Sequence, residues 1–152
     1  MQSKHFVICF IVRPAGTTHE FLIARRGAGR YLDDTWQLIS GSIEPEETAW
    51  QAAIREVREE TQLVARRLYA LSPIASFYRA QDDAHCTGFP FAAFVDADAD
   101  VTLNSENTAY MWQMRSELPR HLMWPNDRAI FAYLCDQILD NGPAEPYLRV
   151  EL

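Results

Sequence analysis

Glutamates at positions 56, 59 and 60 are the residues whose type and spacing most clearly suggest chemistry. On a helix, at about 100° per residue, these three side chains project from neighbouring positions of one sector. Like charges at such spacing repel one another by roughly 0.2–0.5 kcal/mol for each pair. A divalent cation removes that repulsion, and carboxylate oxygens are the ligands that Mg²⁺ or Mn²⁺ prefers. A solvated acidic helix face is the alternative interpretation of Glu56, Glu59 and Glu60.

The element that must carry these glutamates is a helix predicted from Thr48 to about Thr61. Trp50, Ile54 and Val57 fall on one side of it and predict its buried stripe. Only alanines lie near the sector of the carboxylates, so a ligand could approach them closely.

The remaining pattern predicts strands alternating with a second helix. Strands are expected at 6–12, 20–24, 35–40, 63–70, 74–78, 89–95 and 109–114, with loops at 25–34, 84–88 and 96–106, a short helix at 116–122 and a longer helix from Pro125. This order indicates an α/β (α+β) fold with a central mixed sheet covered on both faces. We expect one domain over residues 1–152, with a peripheral C-terminal tail at 141–152.

Composition limits the classes of partner. The formal net charge is −7 and no run of five or six like charges occurs, which argues against nucleic acid as a partner. An acidic protein still binds anionic phosphate when cations lie between them. The apolar run at 6–12 is too short to span a membrane, and Cys9, Cys86 and Cys135 are too scattered for a metal motif. These features predict a cytoplasmic protein with reduced thiols and no membrane partner.

One longer motif contains the glutamates. Gly41 is followed by five residues, Glu47, seven residues, and then Arg55-Glu56-Val57-Arg58-Glu59-Glu60-Thr61-Gln62-Leu63. This segment resembles the Nudix box, the loop–helix–loop motif of the Nudix hydrolases. The resemblance implies an α/β/α sandwich with the box helix on one face of the sheet. Gln62 departs from the pattern, because the family has a glycine there.

The resemblance also implies roles for the box residues. Glu56, Glu59 and Glu60 would hold Mg²⁺, or Mn²⁺ in its place, and one of them would accept the proton of an attacking water. Which glutamate does so is left open. Glu47 and Arg55 would pair and brace the motif, while Gly41 would let phosphates approach the backbone.

A finer resemblance extends outside the box. The segments Trp36-Gln37, Gly41-Ser42, Gln51-Ala52-Ala53, Ala109-Tyr110 with Trp112, and 126–130 resemble the dihydroneopterin triphosphate diphosphatases, also described as dATP pyrophosphohydrolases. Within that group Glu106 would help to hold metal, although a purely structural loop role is equally consistent with its position.

Substrate contacts are predicted from the ends of strands. Arg25 and Arg26 end one strand just before the box and are candidates to meet phosphates, with a solvated role as the alternative. Tyr78 ends another strand and is a candidate to contact a base or pterin ring, with a packing role as the alternative.

The implied substrate is a small nucleotide or pterin triphosphate that is cut with release of diphosphate, by a protein that could form a homodimer. Two other interpretations remain open. One is a hydrolase of ADP-ribose, nucleotide sugars or dinucleoside polyphosphates. The other is a Nudix-fold binding module without catalysis, although such modules typically lose box carboxylates that this chain retains.

Overall fold

The computed structural model describes residues 1–152. Its strands are β1 (Gln2–Ala15), β2 (Thr18–Arg26), β3 (Trp36–Gln37), β4 (Ile39–Ser42), β5 (Arg67–Ala70), β6 (Ala75–Arg79), β7 (Ala84–Phe94), β8 (Asn107–Met114) and β9 (Arg149–Val150). The α-helices are α1 (Ala49–Thr61), α2 (Pro125–Leu134) and α3 (Glu145–Leu148), and a wider helical turn continues α2 over Cys135–Leu139. A 3₁₀ turn at Leu118–His121 takes the place of the short helix predicted at 116–122.

All nine strands form one mixed sheet around β1. Strand β1 runs parallel to β7 and antiparallel to β2 and β4, and the main strand order is β3-β2-β1-β7-β5-β9. The predicted mixed sheet is therefore confirmed. No helix is both long enough and apolar enough to cross a membrane.

The two faces of the sheet are covered by different helices. On β1, Ile8 and Phe10 join a core cluster that includes Phe131 of α2. Their neighbour Cys9 points to the opposite face, in a second cluster with Ala53 of α1. This alternation along one strand produces the α/β/α arrangement that the sequence predicted.

The box helix α1 begins and ends at well-defined caps. The Thr48 side chain accepts a hydrogen bond from the Gln51 backbone, and the Gln51 side chain accepts one from the Thr48 backbone. This reciprocal pair fixes the start of the helix. At the other end Gln62 has a left-handed backbone, with φ of 61°, and its N–H donates to the Arg58 carbonyl. Gln62 therefore adopts the conformation that a glycine would take more easily.

The buried side of α1 differs in part from the predicted stripe. Val57 is buried as expected, but Trp50 and Ile54 are only partly buried. Ala52 and Ala53 are fully buried instead. These small side chains let the helix lie close to the sheet. The face of α1 that packs on the sheet therefore lies nearer to the carboxylates than the predicted stripe does.

Two other predictions need correction. The loop predicted at 84–88 is wrong, because these residues belong to β7 and pair with β1 and β6. Gly88 does not form a turn: a Cβ there would come within 2.6 Å of the Phe6 ring, so the glycine makes room for side-chain packing. Strand β5 is also shorter than the predicted 63–70.

The tail is tied to the fold more closely than a peripheral segment would be. Strand β9 pairs with β5 at the edge of the sheet, and the Tyr69 hydroxyl donates to the Glu145 carboxylate at 2.6 Å.

Candidate active site

A cluster of three carboxylates lies beside α1. Glu56 and Glu60 come from successive turns of the helix, and Glu106 comes from the segment just before β8. One carboxylate oxygen of each residue lies within 4.8 Å of the other two. Glu60 is 6% exposed and Glu56 is 8% exposed, so two of the three negative charges are buried.

The electrostatics of this cluster disfavour ionised carboxylates. Burial, with a further contribution from Glu106, raises the pKa of Glu60 to about 8, against the opposing effect of a hydrogen bond from Asn107. Burial also raises the pKa of Glu56, although the Arg55 guanidinium opposes that shift. Carboxylates that stay close together at neutral pH therefore need protons or a cation.

One oxygen atom of Glu60 is a candidate ligand for a cation. The Oε1 atom of Glu60 accepts a hydrogen bond from the Asn107 amide at 3.1 Å, but its Oε2 atom is buried without a partner. A buried acceptor without a partner is costly, and coordination would satisfy it. The donors are all hard oxygens, which suits Mg²⁺ or Mn²⁺. Glu56, Glu60 and Glu106 therefore fit a divalent metal ion.

Arg55 connects the box loop to the cluster. Its Nε and Nη2 atoms donate to the two oxygens of Glu47, at 3.0 and 2.6 Å, and Nη2 also donates to the Ser42 carbonyl at 2.9 Å. Its Nη1 atom donates to Glu56 at 2.7 Å. One guanidinium thus fixes both the loop and the orientation of a carboxylate in the cluster, and a lysine could not reproduce this set of contacts.

The structure places Glu59 outside the cluster. Its side chain is about half exposed, and its carboxylate accepts a hydrogen bond from Arg55 at 3.3 Å. A role for Glu59 in binding metal stays a prediction.

Gly41 lies directly behind the cluster. It pairs with Val7 in the sheet, and a Cβ at this position would overlap the Glu56 carboxylate. The position needs a glycine because of this close approach, since its backbone is not left-handed.

A cleft of about 920 Å³ opens beside the cluster and includes Glu56 and Glu106 in its walls. Of the predicted substrate contacts, Arg26, Gly41 and Tyr78 line this cleft, and Arg26 donates to the Ser40 hydroxyl at 2.9 Å. Arg25 does not line the cleft, and its guanidinium pairs with Asp34 at 2.7 Å.

Sequence reasoning missed three polar residues of the site. Asn107 holds Glu60, Arg30 pairs with Glu106 at 3.0 Å, and Asp127 lines the cleft with a pKa that burial raises to about 6. The only signal in the sequence was proximity, since Asn107 follows Glu106 and Asp127 lies within the resembling segment 126–130.

Known proteins are similar to this chain in sequence and in fold. A bis(5'-nucleosyl)-tetraphosphatase [asymmetrical] from Rattus norvegicus is 30% identical over 98 residues, covering 63% of this chain and 65% of the relative. An RNA pyrophosphohydrolase from Rhodopseudomonas palustris is 28% identical over 131 residues, covering 73% of this chain and 77% of the relative. Several other curated relatives are longer, and the chain spans only 27% to 52% of their length.

Among solved structures, an Ap4A hydrolase binary complex from C. elegans superimposes with a TM-score of 0.75 at 19% identity, over 90% of this chain and 98% of that one. Such a likeness concerns the fold. The family model described as NUDIX domain matches residues 4–134, which include the box, all three clustered glutamates and both helices that cover the sheet. The chain therefore belongs to the NUDIX family.

Proposed function

We propose that this protein is a Mg²⁺-dependent hydrolase, with Mn²⁺ able to substitute, that cuts a phosphoanhydride bond in a nucleotide or pterin triphosphate. The observation that carries the proposal is the cluster of Glu56, Glu60 and Glu106, in which a buried Glu60 oxygen lacks a partner and in which Glu56 and Glu106 line a large cleft. Diphosphatase and pyrophosphohydrolase names among the relatives support the same class of reaction.

The residues of the cluster would hold the cation against the substrate. When bound, it would polarise phosphoryl oxygens, lower the pKa of water and neutralise the leaving group. Arg55 and Glu47 act by fixing the orientation of Glu56, which decides whether the ligands converge. A carboxylate would accept the proton of the attacking water, and Glu56, Glu59 and Glu60 are the candidates.

The walls of the cleft support a substrate with a planar ring. Phe6, Phe77 and Trp124 supply aromatic surface, while Asn126 and Asp127 supply groups that hydrogen-bond to ring nitrogens. Together with the resemblance noted above, this lining favours a dihydroneopterin triphosphate or dATP type of substrate.

A dinucleoside polyphosphate is the second candidate. The rat relative carries a tetraphosphatase name, and two exposed aromatic side chains, Tyr31 and Tyr78, also line the cleft. A substrate with two bases could use this second aromatic surface, whereas a mononucleotide would leave it free.

We also propose that residues 1–152 form one NUDIX domain, since the two core clusters share a single sheet and the tail adds a strand to it. A homodimer stays a prediction, which light scattering of the purified chain would test.

The test is hydrolysis with and without Mg²⁺ across dihydroneopterin triphosphate, the dNTPs, ADP-ribose and dinucleoside polyphosphates. Release of inorganic diphosphate from a triphosphate would support the first candidate, and cleavage confined to dinucleoside polyphosphates would support the second. A Glu56→Gln variant is the matched inactive control. Nucleotide binding without turnover of any substrate in saturating Mg²⁺ would overturn the catalytic proposal in favour of a binding module.

A further inference from the structure

The loop between β2 and β3, residues 27–35, contacts Glu106 of the cluster and has an unusual backbone. Its first N–H, from Gly27, donates to the Glu106 carbonyl at 2.9 Å. Two non-glycine residues of the loop, Leu32 and Asp34, have left-handed backbones, with φ of 59° and 61°. A bulky residue rarely adopts this conformation, and such outliers concentrate at binding sites. The loop therefore has a strained backbone and is joined by a hydrogen bond to the residue that supplies one carboxylate of the cluster.

Arg30 is the loop residue that reaches the cluster. Its guanidinium pairs with a Glu106 oxygen at 3.0 Å, and its side chain is 42% exposed. Arg30 also lines the cleft, together with Arg26. A cation held by Glu106 would compete with Arg30 for the same carboxylate.

We propose that Arg30 exchanges partners during binding: it neutralises Glu106 in the free protein and contacts a substrate phosphate once Glu106 holds the cation. This inference rests on the proposed function. The cation repels a guanidinium beside it, whereas phosphate oxygens match the planar fork of arginine. Because the side chain is long and partly exposed, it can turn between the two partners without disturbing the core.

Arg25 provides a matched control. Its side chain is 43% exposed and its guanidinium pairs with Asp34 of the same loop at 2.7 Å, but Arg25 does not line the cleft. Replacing either arginine by glutamine removes one positive charge from the same region. A difference between Arg30→Gln and Arg25→Gln therefore reports the local contact with Glu106 rather than the overall charge.

The first measurement is a titration of the nucleotide-free chain with Mn²⁺, in which electron paramagnetic resonance monitors the binding. We expect Arg30→Gln to bind Mn²⁺ roughly two- to five-fold more tightly than the wild type, the range for losing a competing, half-exposed ion pair. Arg25→Gln should bind like the wild type. Equal or weaker Mn²⁺ binding by Arg30→Gln would overturn the exchange.

The second measurement is calorimetric binding of imidodiphosphate, a diphosphate analogue that is not cleaved, in saturating Mg²⁺. Arg30→Gln should bind it about ten-fold more weakly, the loss typical of a charge-assisted hydrogen bond, and Arg30→Lys should fall between. Unchanged imidodiphosphate binding by Arg30→Gln would overturn the phosphate contact. Neither measurement requires turnover, so failure of the proposed function would appear separately, as an inactive wild type.

Discussion

Replacing Glu60 by glutamine should stabilise the metal-free protein while it removes turnover. Glu60 is 6% exposed, and one of its oxygens is buried without a partner. Burial and the neighbouring Glu106 raise its pKa from 4.5 to about 8. A glutamine has the same shape, can still accept the hydrogen bond from Asn107, and offers its amide to the adjacent carboxylates.

The expected stabilisation follows from the two pKa values. The folded state keeps a proton that the unfolded chain releases above pH 4.5, so the Glu60 contribution is fully present below that pH and is lost as pH rises to about 8. Between pH 4.5 and pH 7, about 2.5 pH units, the Glu60 carboxylate lowers the free energy of unfolding by roughly 3 kcal/mol. Repacking around the amide reduces the gain, so we expect about 1–3 kcal/mol and a Tm higher by roughly 3–8 °C.

The assay is thermal unfolding of the wild type and Glu60→Gln in excess chelator at pH 5 and pH 8, with turnover measured in Mg²⁺. The Tm difference should be small at pH 5 and largest at pH 8, and the rate should fall at least about 100-fold, as expected for a lost metal ligand. A variant that is less stable than the wild type at pH 8 would contradict the electrostatic reasoning. A near-normal rate would show that Glu60 holds no metal.

Three further substitutions test other parts of the site. Gly41→Ala should lower kcat by roughly 10- to 100-fold in a steady-state assay with little change in Tm, because the added Cβ would displace the Glu56 carboxylate. An unchanged kcat would show that the Gly41 backbone does not lie against that carboxylate. Arg55→Lys should lower Tm and weaken Mn²⁺ binding by about ten-fold or more, because the two hydrogen bonds from the guanidinium to Glu47 are lost. Unchanged Mn²⁺ binding would show that Arg55 does not position the metal ligands. Gln62→Gly should raise the free energy of unfolding by about 0.5–1 kcal/mol in urea titrations at unchanged activity, because the left-handed φ of 61° suits glycine; a loss of stability would argue against that backbone.

The parts of the fold that the sequence could predict are those with local causes. The start of the box helix at Thr48 and its carboxylates lie within one continuous segment of the sequence. The helix and the neighbouring positions of Glu56 and Glu60 on it could therefore be predicted without the structure. The strands around the centre of the sheet follow from apolar runs. Even the departure at Gln62 could be located, although only the structure shows that the left-handed backbone is kept.

The parts that could not be predicted depend on contacts between distant segments. Asn107 reaches Glu60 only because β8 pairs with β2, with a bulge at Arg25 and Arg26. Strand β7 begins at Ala84 because it pairs in parallel with β1. The sequence does not indicate this pairing, since the residues just before Gly88 include polar ones and do not form an apolar run. The sequence also does not show that Glu59 is half exposed and accepts a hydrogen bond from Arg55, whereas Glu56 and Glu60 meet Glu106.

If the proposed function is correct, the balance of charge at the site would make substrate binding dependent on a cation. The carboxylates of Glu44, Glu47, Glu56, Glu59, Glu60 and Glu106 lie around the loop and the cluster. Arg55 contacts four of them, and Arg30 pairs with Glu106. A polyphosphate entering this region without a cation would bring further negative charge to an acidic wall and would be repelled. Divalent ions would reverse the sign of the wall, because a bound cation is the largest local charge in such a site. On the proposed function, the same carboxylates that destabilise the free protein would create the affinity for the cation, and the cation in turn would create the affinity for phosphate.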